Sequence, residues 1–414
     1  MDVTVLKPIR EAGLDYKPGD VFSTKPSRAW RLAELGMVKA PSPWEYDYKA
    51  EWAELRKFIG ARPEGIIAFP TRRQSLKELR PGEKFLILRK YGGLGDILIA
   101  SMMFSDLKEQ YPDIHVTFAP PKQYHDLFLH SGLSLLPYEK VFSGHGWSNR
   151  AEMPETLRTS YDLSSGVNPD VLKEFDLIED ISIPCHVWEN FFVRYGGVNN
   201  GGNGLLWRNR LDMWSQWFGL KVKRAETCIN IMPDELEKGR QIIRRYAKSS
   251  KPALIFSPIA ANVTKSYGWY KELTELLKKD WNVILLHAKQ LGYEKTLAGL
   301  SYREMGMVCA AADLILSVDT ATFHWGGILK RPTVGIFNVN DGETYARYYP
   351  SAVIVQTCNT PCINTRYNSC DKLYHGPFPT PTGVGIDFSK CYHKSTVQKV
   401  YDTVQSHWML KAGL

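Results

Sequence analysis

Ser317-Val-Asp-Thr-Ala-Thr-Phe-His-Trp-Gly-Gly-Ile-Leu-Lys-Arg-Pro-Thr-Val-Gly-Ile-Phe337 is the stretch whose reading decides the fold. Its start closes an apolar strand made of Leu314, Ile315, Leu316 and Val318, Asp319 and Thr320 open a short helix, and Thr333 begins a second strand. This is a strand-helix-strand unit, which implies a parallel pair. The free backbone amides of the helix's first turn then sit at the carboxyl edge of the sheet, where donors and dipole together favour an anion such as phosphate. Asp and Thr at that position are equally ordinary helix caps, and the stretch alone does not separate the two readings.

A second unit of similar shape lies far upstream. Phe85-Leu-Ile-Leu-Arg-Lys90 reads as a strand, Tyr91-Gly-Gly-Leu-Gly95 as a glycine turn, and Asp96 to Lys108 as an apolar-rich helix. A further strand, Ile114 to Phe118, follows Pro112. Two such units predict an α/β protein with two Rossmann-like domains facing a cleft. The glycine turn matches no dinucleotide fingerprint and no Walker lysine follows it, which argues against a dehydrogenase or a kinase.

The rest of the chain fits around these units. Residues 1–42 read as a small α+β accessory module, with strands at Val3–Leu6 and Asp20–Ser23, a helix over Arg28–Leu35 ended by Gly36, and Met37–Lys39 after it. The module is similar in flavour to accessory modules on bacteriophage proteins. Residues 43–82 form a linker with a helix near Tyr48–Ile59, residues 83–230 the first alternating domain, residues 231–357 the second, and residues 358–414 a cysteine-rich tail with a final helix at Ser395–His407. In the second domain, strands at Ala253–Ser257 and Asn282–His287 alternate with helices at Pro233–Tyr246, Tyr270–Lys279 and Tyr302–Ala312. In the first, Trp207, Arg208, Arg210, Trp214 and Trp217 form an aromatic and basic cluster. Such a cluster stacks on sugars or bases and holds phosphates, or packs its tryptophans inward from an amphipathic helix.

Composition narrows the function classes. The chain has 414 residues, 44% of them hydrophobic, enough for two domains and an appendage. No apolar run approaches the roughly 20 residues a membrane span requires, and the amino terminus lacks a secretion signal's pattern, so a cytoplasmic protein is expected. The net charge of +8 suits anionic substrates without marking a nucleic-acid binder. Of seven cysteines, Cys185, Cys228 and Cys309 lie scattered among apolar neighbours, while Cys358, Cys362, Cys370 and Cys391 cluster in a C-x3-C-x7-C-x20-C pattern. Four clustered thiols in a reducing compartment point to a structural metal such as zinc in preference to disulfides, although the spacing is not that of a standard zinc finger.

Gly95-Asp96 before an apolar helix, Leu107-Lys108, Tyr111-Pro112, Lys265-Ser-Tyr, Asp319-Thr-x-x-x-His324 and Arg331-Pro-Thr-Val-Gly-Ile-Phe337, in that order, resemble the heptosyltransferase-type glycosyltransferases (glycosyltransferase family 9) over residues 83–395. The resemblance implies the GT-B arrangement, a last helix packed back across the hinge, and transfer of a sugar from a nucleotide-diphosphate donor to a hydroxyl of a lipopolysaccharide-like glycan, with inversion and without a catalytic metal. Such a transfer needs a base at the nucleophile and positive or amide charge at the departing diphosphate. By resemblance Asp96 is the base and Lys265 holds the diphosphate. Gly93, Gly95, Asn262, Thr264, Asp319, Thr320, Ala321, Thr322 and His324 complete the expected substrate contacts. Asp96 also suits a helix cap, Lys265 a solvated surface, and His324 a packed position. Two departures from the family pattern stand out: Ala321-Thr-Phe replaces small residues after Asp-Thr, and Gly335 to Asn340 lacks a Gly-Pro-Thr ending. They keep open a non-catalytic sugar-nucleotide-binding relative. The basic balance and the Trp/Arg cluster keep open transfer to a hydroxymethylated base in phage DNA.

Overall fold

The computed structural model describes residues 2–11, 14–23, 38–39, 71–73, 75–89, 93–141, 168–181, 209–217, 219–247, 249–261, 265–292, 295–338, 342–357, 378–379, 385–386 and 396–412. The chain divides into two compact units, Met1–Tyr46 with Phe192–Asn209 and Ile231–Leu414, and Asp47–Phe191 with Arg210–Asn230. Each contains a parallel α/β sheet, the class expected from the alternation of elements.

At the amino terminus, β1 (Asp2–Val5) pairs antiparallel with both β4 (Val21–Ser23) and β5 (Val38–Lys39), and β2 (Ile9–Glu11) forms a hairpin with β3 (Leu14–Tyr16). Val5, Phe22 and Val38 are buried, and Phe22 stacks on Tyr16 at 4.7 Å between centroids. The hairpin escaped the sequence reading because Arg10, Glu11 and Asp15 hide its alternation. The helix expected over Arg28–Leu35 lies outside the described residues, as do the Tyr48–Ile59 helix and Cys358, Cys362, Cys370 and Cys391.

The four-stranded sheet of the smaller unit contains β6 (Lys84–Leu88), β7 (His115–Ala119), β8 (Ser134–Leu135) and β9 (Leu177–Asp180), all parallel in the order β8-β7-β6-β9. After β6 come α1 (Leu94–Ala100) and α2 (Met103–Gln110). They replace the single helix expected there, because Ser101 turns its hydroxyl back to the Leu98 carbonyl at 2.7 Å and interrupts the run. A short α3 (Pro169–Glu174), capped by the Asn168 side chain, leads into β9. The unit also contains α4 (Arg210–Trp217), which packs on α1. Asp106 on α2 is fully buried and accepts the backbone N–H groups of Lys223, Arg224 and Ala225 at 3.0 to 3.1 Å.

Helix α5 (Pro233–Arg244) opens the larger unit's main domain, followed by β10 (Ala253–Ser257), α6 (Tyr270–Leu277), β11 (Asn282–Leu286), β12 (Thr296–Leu297), α7 (Tyr302–Ala311), β13 (Leu314–Val318), α8 (Ala321–Ile328), β14 (Thr333–Phe337), α9 (Gly342–Ala346), β15 (Ala352–Gln356) and, last, α10 (Thr396–Ala412). The six strands run parallel in the order β12-β11-β10-β13-β14-β15. Their chain starts mid-sheet, travels to one edge, then returns to fill the other. Every residue of β10, β13 and β14 is buried, as helices on both faces demand of a parallel sheet. Helix α10 packs on α6, β14 and β15. Trp408 meets Trp281 edge-on at 5.2 Å, and Tyr401 and Gln405 both donate to Asp280 at 2.6 Å. Among the described residues no helix is long and apolar enough to cross a membrane.

Helix α8 is pressed onto its neighbours at two glycines. A methyl on Gly326 would collide with Thr333, and one on Gly327 with the ring of Tyr349. Gly327→Ala gains roughly 1 kcal/mol of helix propensity, but overpacking costs about 1–3 kcal/mol. The variant should therefore melt below wild type in a thermal scan; an equal or higher Tm would show that Tyr349 can give way.

Candidate functional site

In an open α/β sheet, ligands gather outside the carboxyl ends of the strands where the winding direction reverses. In the larger unit that point lies between β10 and β13, which pair with Ser257 opposite Ser317. Thr320 is the N-cap residue of α8, with extended backbone, yet its hydroxyl makes no cap. It turns instead to Ser317 Oγ at 3.0 Å and Ser257 Oγ at 3.4 Å. The opening of α8 therefore faces the reversal point without a side-chain cap from Thr320, an arrangement suited to an anion.

Lys265 lies in the loop after β10, which is held by Tyr267 N donating to Pro258 O at 2.8 Å and Ala260 N donating to Ser266 Oγ at 3.0 Å. Its Nζ pairs with Asp319 Oδ2 at 2.7 Å; the Asp319 side chain is 7% exposed and that of Lys265 26%. The structure thus brings Lys265, Asp319, Thr320 and Ala321 to one edge. Asn262 and Thr264 lie outside the described residues. Thr322 and His324 are buried, and His324 Nδ1 is 2.9 Å from Tyr349 Oη, with the rings of Phe323, Tyr345 and Tyr349 around it. Burial raises the Tyr349 phenol well above its ordinary value, so it stays a neutral hydrogen-bonding partner. His324 is thus engaged in packing α8 against Tyr349 and the rings around it.

The smaller unit reverses between β6 and β9, and a carboxylate stands at its edge. Gly93 is the N-cap of α1 and a side chain there would meet open space. Gly95 and Asp96 follow in the first turn, with Asp96 N donating to Gly93 O at 3.0 Å. The Asp96 carboxylate does not cap the helix. Its Oδ2 takes Arg89 Nη2 at 3.1 Å and its Oδ1 takes Arg210 Nη1 from the start of α4. Arg89 is held further by Nη1 donating to Ile181 O at 3.0 Å and by lying over the Trp214 ring, 4.8 Å from its centroid.

In the sequence Arg210 and Trp214 stand out only as members of an aromatic and basic cluster. Trp214 proves fully buried, so it packs inward; Trp207 and Arg208 lie outside the described residues. Arg89 was missed as a site residue. Its signal was a cation directly after four buried strand residues, where a solvated side chain is not expected. Burial pushes the Cys228 and Cys309 thiols up to about 12, leaving them unreactive. Among the described residues no group of three or more potential metal ligands exists.

The Lys265–Asp319 pair is testable by itself. Removing one partner strands a largely buried charge, which costs more than removing both. Lys265→Met and Asp319→Asn should each lower Tm, and the double variant should lose less than their sum, with a coupling of about 1 kcal/mol or more in a double-mutant cycle. Additive losses would mean that the pair is not formed in solution.

Comparison with known proteins bears on this geometry. Residues 203–374 match the model of Glycosyltransferase family 9 (heptosyltransferase). On that match the chain is a glycosyltransferase. No curated protein sequence matches it. Among solved structures, it is similar to the E. coli ADP-heptose lipopolysaccharide heptosyltransferase II, at 14% identity and a TM-score of 0.49, over 79% of this chain and 99% of that one. It is similar also to a glycosyltransferase family 9 protein from Veillonella parvula, at 12% identity and a TM-score of 0.47, over 67% and 87%. The iron-containing dodecameric glycosyltransferase TibC from enterotoxigenic E. coli gives 12% identity and a TM-score of 0.49, over 79% and 80%.

Proposed function

We propose that the chain transfers a sugar, with inversion, from a nucleotide-diphosphate donor to a hydroxyl of a lipopolysaccharide-like glycan. The observation that carries this is the division of chemistry between two reversal points: helix amides with a lysine in one unit, an oriented carboxylate in the other. Inverting transfer needs these two capabilities together.

In this mechanism the acceptor hydroxyl gives its proton to Asp96 as its oxygen bonds to the anomeric carbon. The bond from that carbon to the diphosphate oxygen breaks, and the negative charge released develops at the opening of α8. There the amides of Ala321 and Thr322 and the ammonium of Lys265 stabilise it, while Asp319 fixes where that ammonium points. Gly93 keeps the approach to α1 open. The mechanism requires no catalytic metal. A glycan acceptor is favoured over a DNA base because Trp214 is wholly buried and Arg210 is engaged with Asp96, so neither offers a stacking platform.

Asp96→Asn keeps the shape and loses the base. It should lower transfer by about 10²-fold or more, while a donor at 100 times its dissociation constant still stabilises the protein by about 2.7 kcal/mol in a thermal-shift assay. ADP, GDP, UDP and CMP sugars would be screened in that assay. Turnover by Asp96→Asn at the wild-type rate would remove Asp96 from the mechanism. Donor binding without turnover by the wild-type protein on any glycan would identify a binding relative instead.

A further inference from the structure

We propose that Ser317 is a positioning residue of the diphosphate site: its hydroxyl captures that of Thr320 and keeps Thr320 from capping α8, which leaves the first amides of the helix open to an anion. This role rests on the reading that the departing diphosphate binds at the opening of α8.

Thr320 has what a capping residue needs. It stands at the N-cap position with extended backbone, φ −137° and ψ 175°, the conformation from which a side-chain oxygen reaches the N–H groups two and three residues further on. Those groups belong to Thr322 and Phe323. Phe323 N already donates to the Thr320 carbonyl at 3.1 Å, so the amide a cap would take first is that of Thr322. Yet the Thr320 side chain forms no cap.

The diversion of that hydroxyl has a definite polarity. Ser317 is fully buried, and its hydroxyl donates its one proton to the Val318 carbonyl at 2.8 Å. In the 3.0 Å contact between Ser317 and Thr320 the donor is therefore Thr320, and in the 3.4 Å contact between Thr320 and Ser257 the donor is Ser257. The protons run one way, from Ser257 through Thr320 and Ser317 to the Val318 carbonyl. With its proton committed to Ser317, the Thr320 hydroxyl has only lone pairs left, and lone pairs repel a phosphate oxygen. Attraction for the anion then falls to the backbone N–H groups of Ala321 and Thr322, which the helix itself cannot satisfy. Ser317 thus exchanges the stability of a capped helix for an open anion site.

Ser317→Ala removes the capture, and the freed Thr320 hydroxyl should turn to the Thr322 N–H. In the ligand-free protein, amide hydrogen exchange read at single residues should then slow at Thr322 by roughly fivefold or more. Affinity for a nucleoside diphosphate should fall by roughly threefold to tenfold, because the ligand now has to displace a cap. The probe is whichever of ADP, GDP, UDP and CDP binds wild type most tightly in a calorimetric titration. Thr320→Val added to Ser317→Ala removes the competing hydroxyl, so the double variant should regain most of the affinity and the fast exchange at Thr322. A serine that only filled space would give no such recovery. Should Ser317→Ala not fold, as judged by its Tm, Ser317→Cys takes its place, with a sulfur that is a weak acceptor of similar shape. Unchanged exchange at Thr322 in the single variant, or a double variant that binds no better than the single, would overturn the inference. If wild type binds no nucleoside diphosphate, or Lys265→Met binds it as tightly as wild type, the diphosphate reading of α8 falls instead, and the exchange data still decide whether Ser317 holds Thr320 off the helix.

Discussion

A parallel sheet covered on both faces has no room for polar side chains along its strands, and the constraint decides where chemistry can occur in this protein. Strands β10, β13 and β14 are buried throughout, and the same holds for all but the first residue of β6. Polar groups are therefore driven to the strand ends. There the reversal of winding parts two neighbouring loops and exposes the start of a helix. Ser257, Ser317, Asp319 and Thr320 gather at one such place, and Arg89 and Asp96 at the other. What distinguishes the two is the sign of the charge at their centre: open amides and an ammonium in one, a carboxylate in the other.

Charged residues inside the protein are tolerated only with close partners, and those partners do structural work. Arg303 donates to Glu235 at 2.9 and 2.5 Å through Nε and Nη2, joining α7 to α5. Glu235 also accepts Met232 N at 2.9 Å, so the same carboxylate completes the start of α5. Asp106 does comparable work with backbone groups alone, ordering residues 223–225 through three N–H bonds and holding Ala225 at a left-handed φ of 51°. Neither residue belongs to a candidate site. Their burial is explained by the bonds they make, which is the ordinary condition for an interior carboxylate.

The larger unit's sheet was readable in the sequence wherever a strand is an unbroken apolar run. Ala253–Ser257, Leu314–Val318 and Thr333–Phe337 have the bounds the pattern implies. Strand β9 is hidden in the sequence, because Leu177-Ile-Glu-Asp ends in two acids that look solvated yet are buried at the strand's end. Lys265 and Asp319 could be singled out separately, but their pairing could not, since it depends on a loop folding back over some fifty intervening residues. Asp96 was legible as a residue at a glycine turn. Its two arginines, seven residues before it and far beyond it in the chain, become its neighbours only through the order of the strands and the packing of α4 on α1.

The close seating of α8 has an energetic meaning for whatever it recognises. Glycines at 326 and 327 let the helix lie against Thr333 and Tyr349, and His324 bonds to Tyr349. Its opening turn is tied in addition through the Thr320 hydroxyl to Ser317 and Ser257. Association at a turn so tied spends little conformational freedom, so more of each hydrogen bond formed there remains as affinity. Recognition at this turn is that of a mould already cast.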